Sequence, residues 1–241
     1  MPSAIVDAIL ITGAGRRVGL HLAERLIAAG HPVVAHSHHE STALGGLRAK
    51  GALTTISDLT DDEALPALVR FIEGHVQSLR AIIHNASIFQ ITSDNLQTAV
   101  EQFQRMIAIH ATVPLYLNNS LFALLSACRE ECADIIHITD IYADNPNPKF
   151  DAYCASKAAS QNIALSSAKK FAPKVKVNII QPGPILFQDW HSQELRNQIL
   201  AETLLQREGG VESIGLAAEA ILANNYQTGA IVVVDGGRHL S

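Results

Sequence analysis

At 241 residues and 48% hydrophobic content, the chain has enough apolar material for one sheet buried on both faces, and no second domain is expected beyond a single unit spanning 1–241. The net charge of −5 and the scatter of its Lys and Arg exclude a phosphate-backbone partner, so no nucleic acid is expected. Three cysteines, Cys128, Cys132 and Cys154, are odd in number and lack paired CxxC spacing, which implies neither a disulfide framework nor a zinc site and fits a reducing cytoplasm.

The N-terminal MPSAIVDAILITGAG carries no basic region and runs straight into glycines, so its apolar letters predict a first strand, Ala8 to Thr12, rather than a signal peptide. No apolar run approaches membrane-spanning length, and no membrane partner is expected. TGAGRRVGLHLAERLIAAG then predicts a turn and a helix that Gly30 stops. In such a strand, turn and helix, Gly13 and Gly15 permit close approach of backbone to a pyrophosphate. Gly19 lets the helix pack near the strand with its N-terminus aimed at the anion. PVVAH, residues 32–36, predicts a second strand. Its tip, HSHHE, lacks the Asp or Glu that would accept a hydrogen bond from an NAD ribose, so the expected cofactor is NADPH, with Ser37 and His38 as candidates for the 2′-phosphate. His36, His38 and His39 have metal-ligand chemistry, but nothing nearby completes a ligand set and no metal is expected.

A weak, glycine-interrupted helix over 41–50 leads to a third strand, LTTIS, and to Asp58, which is either an N-cap or a turn residue before the helical DDEALPALVRFIEGHV. RAII, residues 80–83, predicts the fourth strand and opens into HNASIF. The amphipathic stretch 96–128 predicts helix, bent or notched at Pro114. DIIHI, residues 134–138, predicts a fifth strand that delivers Asp140 to the carboxyl end of the sheet. A helix from Asp151, a sixth strand VKVNII, a polar stretch 188–210 expected to be a mobile lid, a helix over 211–224 and a seventh strand within TGAIVVV complete the chain.

Chemistry concentrates on the helix that begins at Asp151. Tyr153 and Lys157, four residues apart, share one face of it. A phenol titrates near ~10, and a neighbouring ammonium stabilises the phenolate and draws that value toward neutrality, where proton transfer is most useful.

With its glycine loop and its Tyr-x-x-x-Lys helix, the chain resembles the short-chain dehydrogenase/reductase family nearly end to end. Most members carry a carbonyl-polarising serine thirteen positions before the tyrosine; here that position is Asp140. Together with TGAGRRVG and NASIF, the aspartate resembles the pteridine reductase branch, the bacterial dihydromonapterin reductases most of all. The resemblance implies that Gly13, Arg16, Arg17, Val18 and Gly19 meet the cofactor, Arg16 at the ribose 2′-phosphate or else solvated, and Arg17 facing pyrophosphate and substrate together. It places the adenine at Asp58 and Leu59, the nicotinamide half along Asn85, Ala86 and Ser87, and its carboxamide at Pro182 and Gly183. Ser87 and Phe89 match the pterin-binding variant of that segment, in which the aromatic ring stacks on a planar pteridine. His110 stands where most members have an asparagine that supports the lysine, and is either a hydrogen-bond donor in its place or a buried structural histidine.

These readings predict a single doubly wound α/β Rossmann domain with a seven-stranded, mostly parallel sheet. The implied activity is NADPH-dependent reduction of 7,8-dihydromonapterin to tetrahydromonapterin, with weaker reduction of dihydrofolate. Tyr153 is the family's acid, Lys157 lowers its pKa and holds the nicotinamide ribose, and Asp140 completes a proton relay; Arg17, Ser87 and Phe89 join them around the substrate. A carbonyl reductase of the same family, acting on a 3-oxoacyl, sugar or steroid substrate, would carry serine at 140, and a non-catalytic NADP-binding sensor would not need Tyr153 and Lys157. The family also implies a homotetramer, with the C-terminal RHL reaching a neighbour's site.

Overall fold

All four side chains of β1 (Ala8–Ile11) are wholly buried in the structure, a computed structural model that describes residues 4–241. An unbroken apolar run suits a strand covered on both faces. The period of two shows instead in where each side chain goes. Ala8 and Leu10 join the core beneath α3 (Ala64–His75), α5 (Val113–Ser120) and α7 (Asp151–Phe171). Ile9 and Ile11 join the core beneath α1 (Arg17–Ala28), α2 (Thr42–Ala49) and α9 (Gly210–Ala223).

Around β1 lie β2 (Val33–Ser37), β3 (Leu53–Ile56), β4 (Leu79–His84), β5 (Ala133–Ile138), β6 (Val175–Pro182) and β7 (Ile231–Val234), in the order β3-β2-β1-β4-β5-β6-β7. Every pairing is parallel, so this is the doubly wound Rossmann sheet the sequence predicts, without an antiparallel member. Strand order reverses between β1 and β4, and ligands in such sheets bind beyond the carboxyl ends of the strands at that switch.

Two expectations are refined. Asp58 does not cap α3, which starts later, at Ala64; its Oδ1 accepts from the backbone N–H and hydroxyl of Thr60 at 2.9 and 2.7 Å, a turn. The stretch 96–128 divides into α4 (Leu96–Ile107), a π-helical turn (Ala108–Thr112), α5 and α6 (Phe122–Ser126). Pro114, which has no N–H to give the ladder, sits in the first turn of α5 just after the π turn, so the expected notch takes the form of a widened turn.

Near the amino ends of the strands, Arg80 and Lys176 bracket the buried Asp134, Lys176 at 3.0 Å. Their remaining N–H groups donate to the carbonyls of Leu222, Ile221 and Asn224 at the end of α9, where the helix dipole favours cations. Among the described residues no helix is long and apolar enough to cross a membrane.

Candidate active site

The loops after β1 and β4 are joined by side chains. Asn85 Nδ2 donates to the carbonyls of Thr12 and Gly13, both at 3.0 Å, and Thr12 Oγ1 accepts from the N–H groups of Asn85 and Ala86, both at 3.1 Å. Gly13 has φ +70°, and a Cβ there would come within 2.9 Å of Ala86 Cα. At Gly15 a Cβ would strike the Ser37 hydroxyl, and at Gly19 the Gly13 carbonyl. The glycines therefore let three backbone segments touch. Arg16 gives the first N–H groups of α1 no side-chain cap, which leaves these donors to an anion.

At the tip of β2, Ser37 Oγ donates to His39 O at 2.8 Å, and His38 lies 3.3 Å from Asp58. His36 turns inward, its Nδ1 accepting from Gly13 N–H at 3.4 Å while Nε2 meets Ser57 O at 3.0 Å, so it supports the loop from below. Among the described residues no group of three His, Cys, Asp or Glu could hold a metal ion. Arg16 is exposed and Val18 packs at the edge of the core, whereas the Leu59 side chain is buried in the core, leaving only its backbone for a ligand. Gly183 packs so closely on Asp235 that any Cβ would collide with it, next to Pro182 at the end of β6.

Tyr153 and Lys157 point into the site one turn apart on α7, and Asp140 meets them from the loop after β5. Extended backbone at Asp140 lets its Oδ1 accept from Tyr142 N–H at 3.0 Å while Oδ2 accepts from the Tyr153 hydroxyl at 2.9 Å. The aspartate and tyrosine bond directly, without an intervening water. Lys157 Nζ donates to Ile138 O at 3.1 Å and lies 5.6 Å from the centre of the Tyr153 ring. The expected pull of the phenol toward neutrality is not found. Burial, then the neighbouring Asp140, push the Tyr153 phenol well above its usual value. Burial pushes Asp140 up as well, and pushes Lys157 down to about 8. A dry site favours neutral forms, and a carboxyl in contact outweighs an ammonium beyond the ring.

His110 sits on the π turn, behind Tyr153. Its Nε2 lies 2.8 Å from Ser87 Oγ and accepts from Ile88 N–H at 3.2 Å, and its Nδ1 lies 2.8 Å from Ser156 Oγ. It is buried, and it is bonded to the site.

Phe89 forms one wall, edge-on to Tyr153 at 4.8 Å, with Phe150 beside it at 4.8 Å and Trp190 nearly parallel to it at 6.2 Å. Sequence reasoning misses Phe150, although its position three residues before Tyr153, at the start of α7, is the signal that could find it. The stretch 188–210 contains a helix of its own, α8 (Gln193–Ala201). Arg17, with φ +52°, donates to the carbonyls of Leu186 and Phe187 at 2.6 and 3.3 Å and so joins the glycine loop to this stretch. Arg238, near the C-terminus, engages its own chain, donating to Ile199 O at 2.7 Å and Glu202 at 2.6 Å.

The sequence model of the short chain dehydrogenase family matches residues 7–197. The chain is 38% identical over 232 residues to dihydromonapterin reductase of Klebsiella pneumoniae subsp. pneumoniae, covering 96% of each chain. It is 37% identical over 241 residues to that of Enterobacter sp. (strain 638), covering 100% of each. Among solved structures it resembles FolM Alternative dihydrofolate reductase 1 from Brucella canis, complexed with NADP, with TM-score 0.84 and 27% identity over 98% of this chain and 95% of that one. The corresponding Brucella suis protein, also in complex with NADP, gives TM-score 0.83 and 26% identity, covering 98% of this chain and 96% of that one.

Proposed function

This chain belongs to the short-chain dehydrogenase family, and we propose that within it residues 1–241 act as one NADP-binding unit that reduces a dihydropterin, 7,8-dihydromonapterin foremost and dihydrofolate more slowly. The observation that carries the reading is the 2.9 Å bond from Tyr153 to an aspartate where a carbonyl reductase has serine. The names of the relatives and the NADP in the Brucella complexes support it.

The glycine cradle and the uncapped start of α1 fit a pyrophosphate, and Arg16, Ser37 and His38 fit a ribose 2′-phosphate; Asn85, Ala86, Ser87, Pro182 and Gly183 would flank the nicotinamide half. When bound, NADPH supplies a hydride, which adds to C6 of the pterin C6=N5 bond. N5 then needs a proton, and the Asp140–Tyr153 pair is placed to hold one. Tyr153 keeps its own firmly, and Asp140 keeps one more firmly than an exposed carboxyl would. Lys157 stabilises the negative charge left on the pair after transfer, since its ammonium favours ionised Asp140. Phe89 offers a planar ring its face, and Arg17 closes the stretch after β6 over it.

We extend the reading to a cytoplasmic homotetramer. Val100 and Phe103 on α4 are exposed beside Ala155 of α7, and Leu96 is exposed at the start of α4, an apolar strip suited to pairing across a two-fold axis. Light scattering at micromolar concentration should give four chains, and a monomer would refute the assembly.

The test of function is NADPH oxidation with dihydromonapterin, dihydrobiopterin, dihydrofolate and an acetoacetyl thioester side by side. Dihydromonapterin should have the highest kcat/KM and the thioester negligible turnover; the reverse order would overturn the reading.

A further inference from the structure

His110 is only 3% exposed, and the hydrogen bonds it makes belong to the active site. A backbone N–H can only donate, so the Ile88 N–H that points at Nε2 from 3.2 Å requires a lone pair there. In a neutral imidazole the proton is then on Nδ1. It goes to Ser156 Oγ at 2.8 Å, and the Ser156 hydroxyl donates in turn to the Tyr153 carbonyl at 2.7 Å. Burial and the positive charge of Lys157 keep the ring neutral. Ser87 Oγ lies 2.8 Å from the same Nε2. Because Nε2 carries no proton, the hydroxyl must supply the one in that bond.

A serine facing a cleft normally turns its proton either way, reading donors and acceptors alike. Ser87 is exposed, yet its proton is committed to His110 on the protein side. We propose that His110 is a positioning residue that makes Ser87 an obligate hydrogen-bond acceptor toward the cleft, so that this side of the site selects a substrate presenting an N–H or O–H donor, as a reduced nitrogen heterocycle does, over one presenting only acceptors. Through Ser156 the same ring fixes the backbone of Tyr153. The choice of a dihydropterin as assay substrate rests on the function proposed above; the hydrogen-bond assignment does not.

Two measurements test it. In 15N-labelled protein without substrate, His110 should show the Nδ1–H tautomer with bare Nε2 at neutral pH; an Nε2–H tautomer or an imidazolium would overturn the proposal. In turnover of dihydromonapterin, Ser87→Ala and His110→Phe should each lower kcat/KM about tenfold, the worth of one hydrogen bond. The double variant should be no worse than His110→Phe alone, because both changes remove the Ser87–His110 bond and His110→Phe already removes the Ser156 bond besides. His110→Gln, whose amide oxygen can take the place of Nε2, should recover most of the loss. Effects of Ser87→Ala and His110→Phe that multiply, or a Ser87→Ala protein with unchanged kcat/KM, would refute it. Should His110→Phe fail to fold, the tautomer and Ser87→Ala still decide. Absence of dihydropterin turnover in the unaltered protein would sink the proposed function and leave the tautomer assignment standing.

Discussion

The Tyr153 hydroxyl donates to Asp140 Oδ2 across 2.9 Å, while Lys157, 5.6 Å from the ring, bonds instead to the Ile138 carbonyl. A phenol held this way is a reluctant acid, since losing its proton would set two negative charges in contact in a dry site. The carboxyl is the group whose ordinary affinity for protons burial raises toward the useful range. Asp140→Asn should therefore reduce kcat for dihydropterin by about 10²–10⁴, the usual worth of a placed acid. NADPH affinity, measured by fluorescence titration, should stay near that of the unaltered protein. Turnover within a few-fold of normal would make Asp140 only the turn residue that holds Tyr142 N–H.

Cofactor choice follows from the tip of β2. His38 and the exposed Arg16 offer side-chain donors to a 2′-phosphate beside Ser37, whose own hydroxyl donates to His39 O, and the carboxylate that would bind an NAD ribose is absent from the strand end. Two or three charge-assisted contacts should favour NADPH over NADH by on the order of a hundredfold in affinity. Arg16→Ala should erase part of that preference without changing NADH affinity; equal kcat/KM for the two cofactors in the unaltered protein would refute it.

The parts of this molecule that sequence makes legible are those whose physical demand is local. Each glycine of the first loop answers a steric requirement set within one strand, turn and helix, and the Tyr153–Lys157 spacing needs only helical periodicity. The strands show as apolar runs because both faces are covered. The partners of His110 lie 22 to 46 positions away, and Phe89 gains Phe150 and Trp190 only through the fold. The ionisation of Tyr153 runs opposite to expectation for the same reason, since burial and the 2.9 Å contact with Asp140 are tertiary facts.

Four buried histidines, His36, His84, His110 and His137, are held below their ordinary value by burial and together give the fold an acid limit. His36 and His84 are both pushed down to about 4, first of all by burial, from an ordinary 6.5. A histidine whose pKa is lower in the folded than in the unfolded chain contributes its full stability above 6.5. That contribution drains away as pH falls from 6.5 toward 4, where the unfolded chain takes up protons first. Each contributes about 3 kcal/mol across the window. His84→Gln can keep the bond to Asn118, which is 2.7 Å from Nε2, without titrating. Its urea unfolding free energy should fall less steeply over this range than that of the unaltered protein; parallel curves would count against the assignment.

Asp134 tests the opposite end of the sheet. Removing it leaves Arg80 and Lys176 as like charges in the core, their only acceptors among the described residues the carbonyls at the end of α9. Asp134→Ala should cost about 3–5 kcal/mol of stability, read as a lower urea midpoint. Because Asp134 lies near the amino end of β5 and Asp140 beyond its carboxyl end, the folded fraction should bind NADPH normally. A loss under 1 kcal/mol, roughly the scale of an exposed pair, would show that water reaches the trio.

Trp190, the single tryptophan, is 53% exposed and lies nearly parallel to Phe89 at 6.2 Å. A planar ring between two aromatic faces needs contacts of about 3.5 Å on each side, or about 7 Å in all, so the pair is slightly too close to admit one. Trp190 must move outward by roughly 1 Å when a pterin stacks on Phe89, and the stretch after β6 that carries it is held to the glycine loop only through Arg17 and backbone carbonyls. Ring stacking of this kind is worth about 0.5–1.5 kcal/mol, so Trp190→Ala should raise KM for dihydromonapterin roughly 2- to 12-fold with kcat little changed. In the unaltered protein saturated with NADP+, adding the pterin should quench tryptophan emission, whose only source is this residue. Emission and KM both indifferent, to ligand and to substitution respectively, would place Trp190 outside the binding path and leave Phe89 as the sole stacking wall.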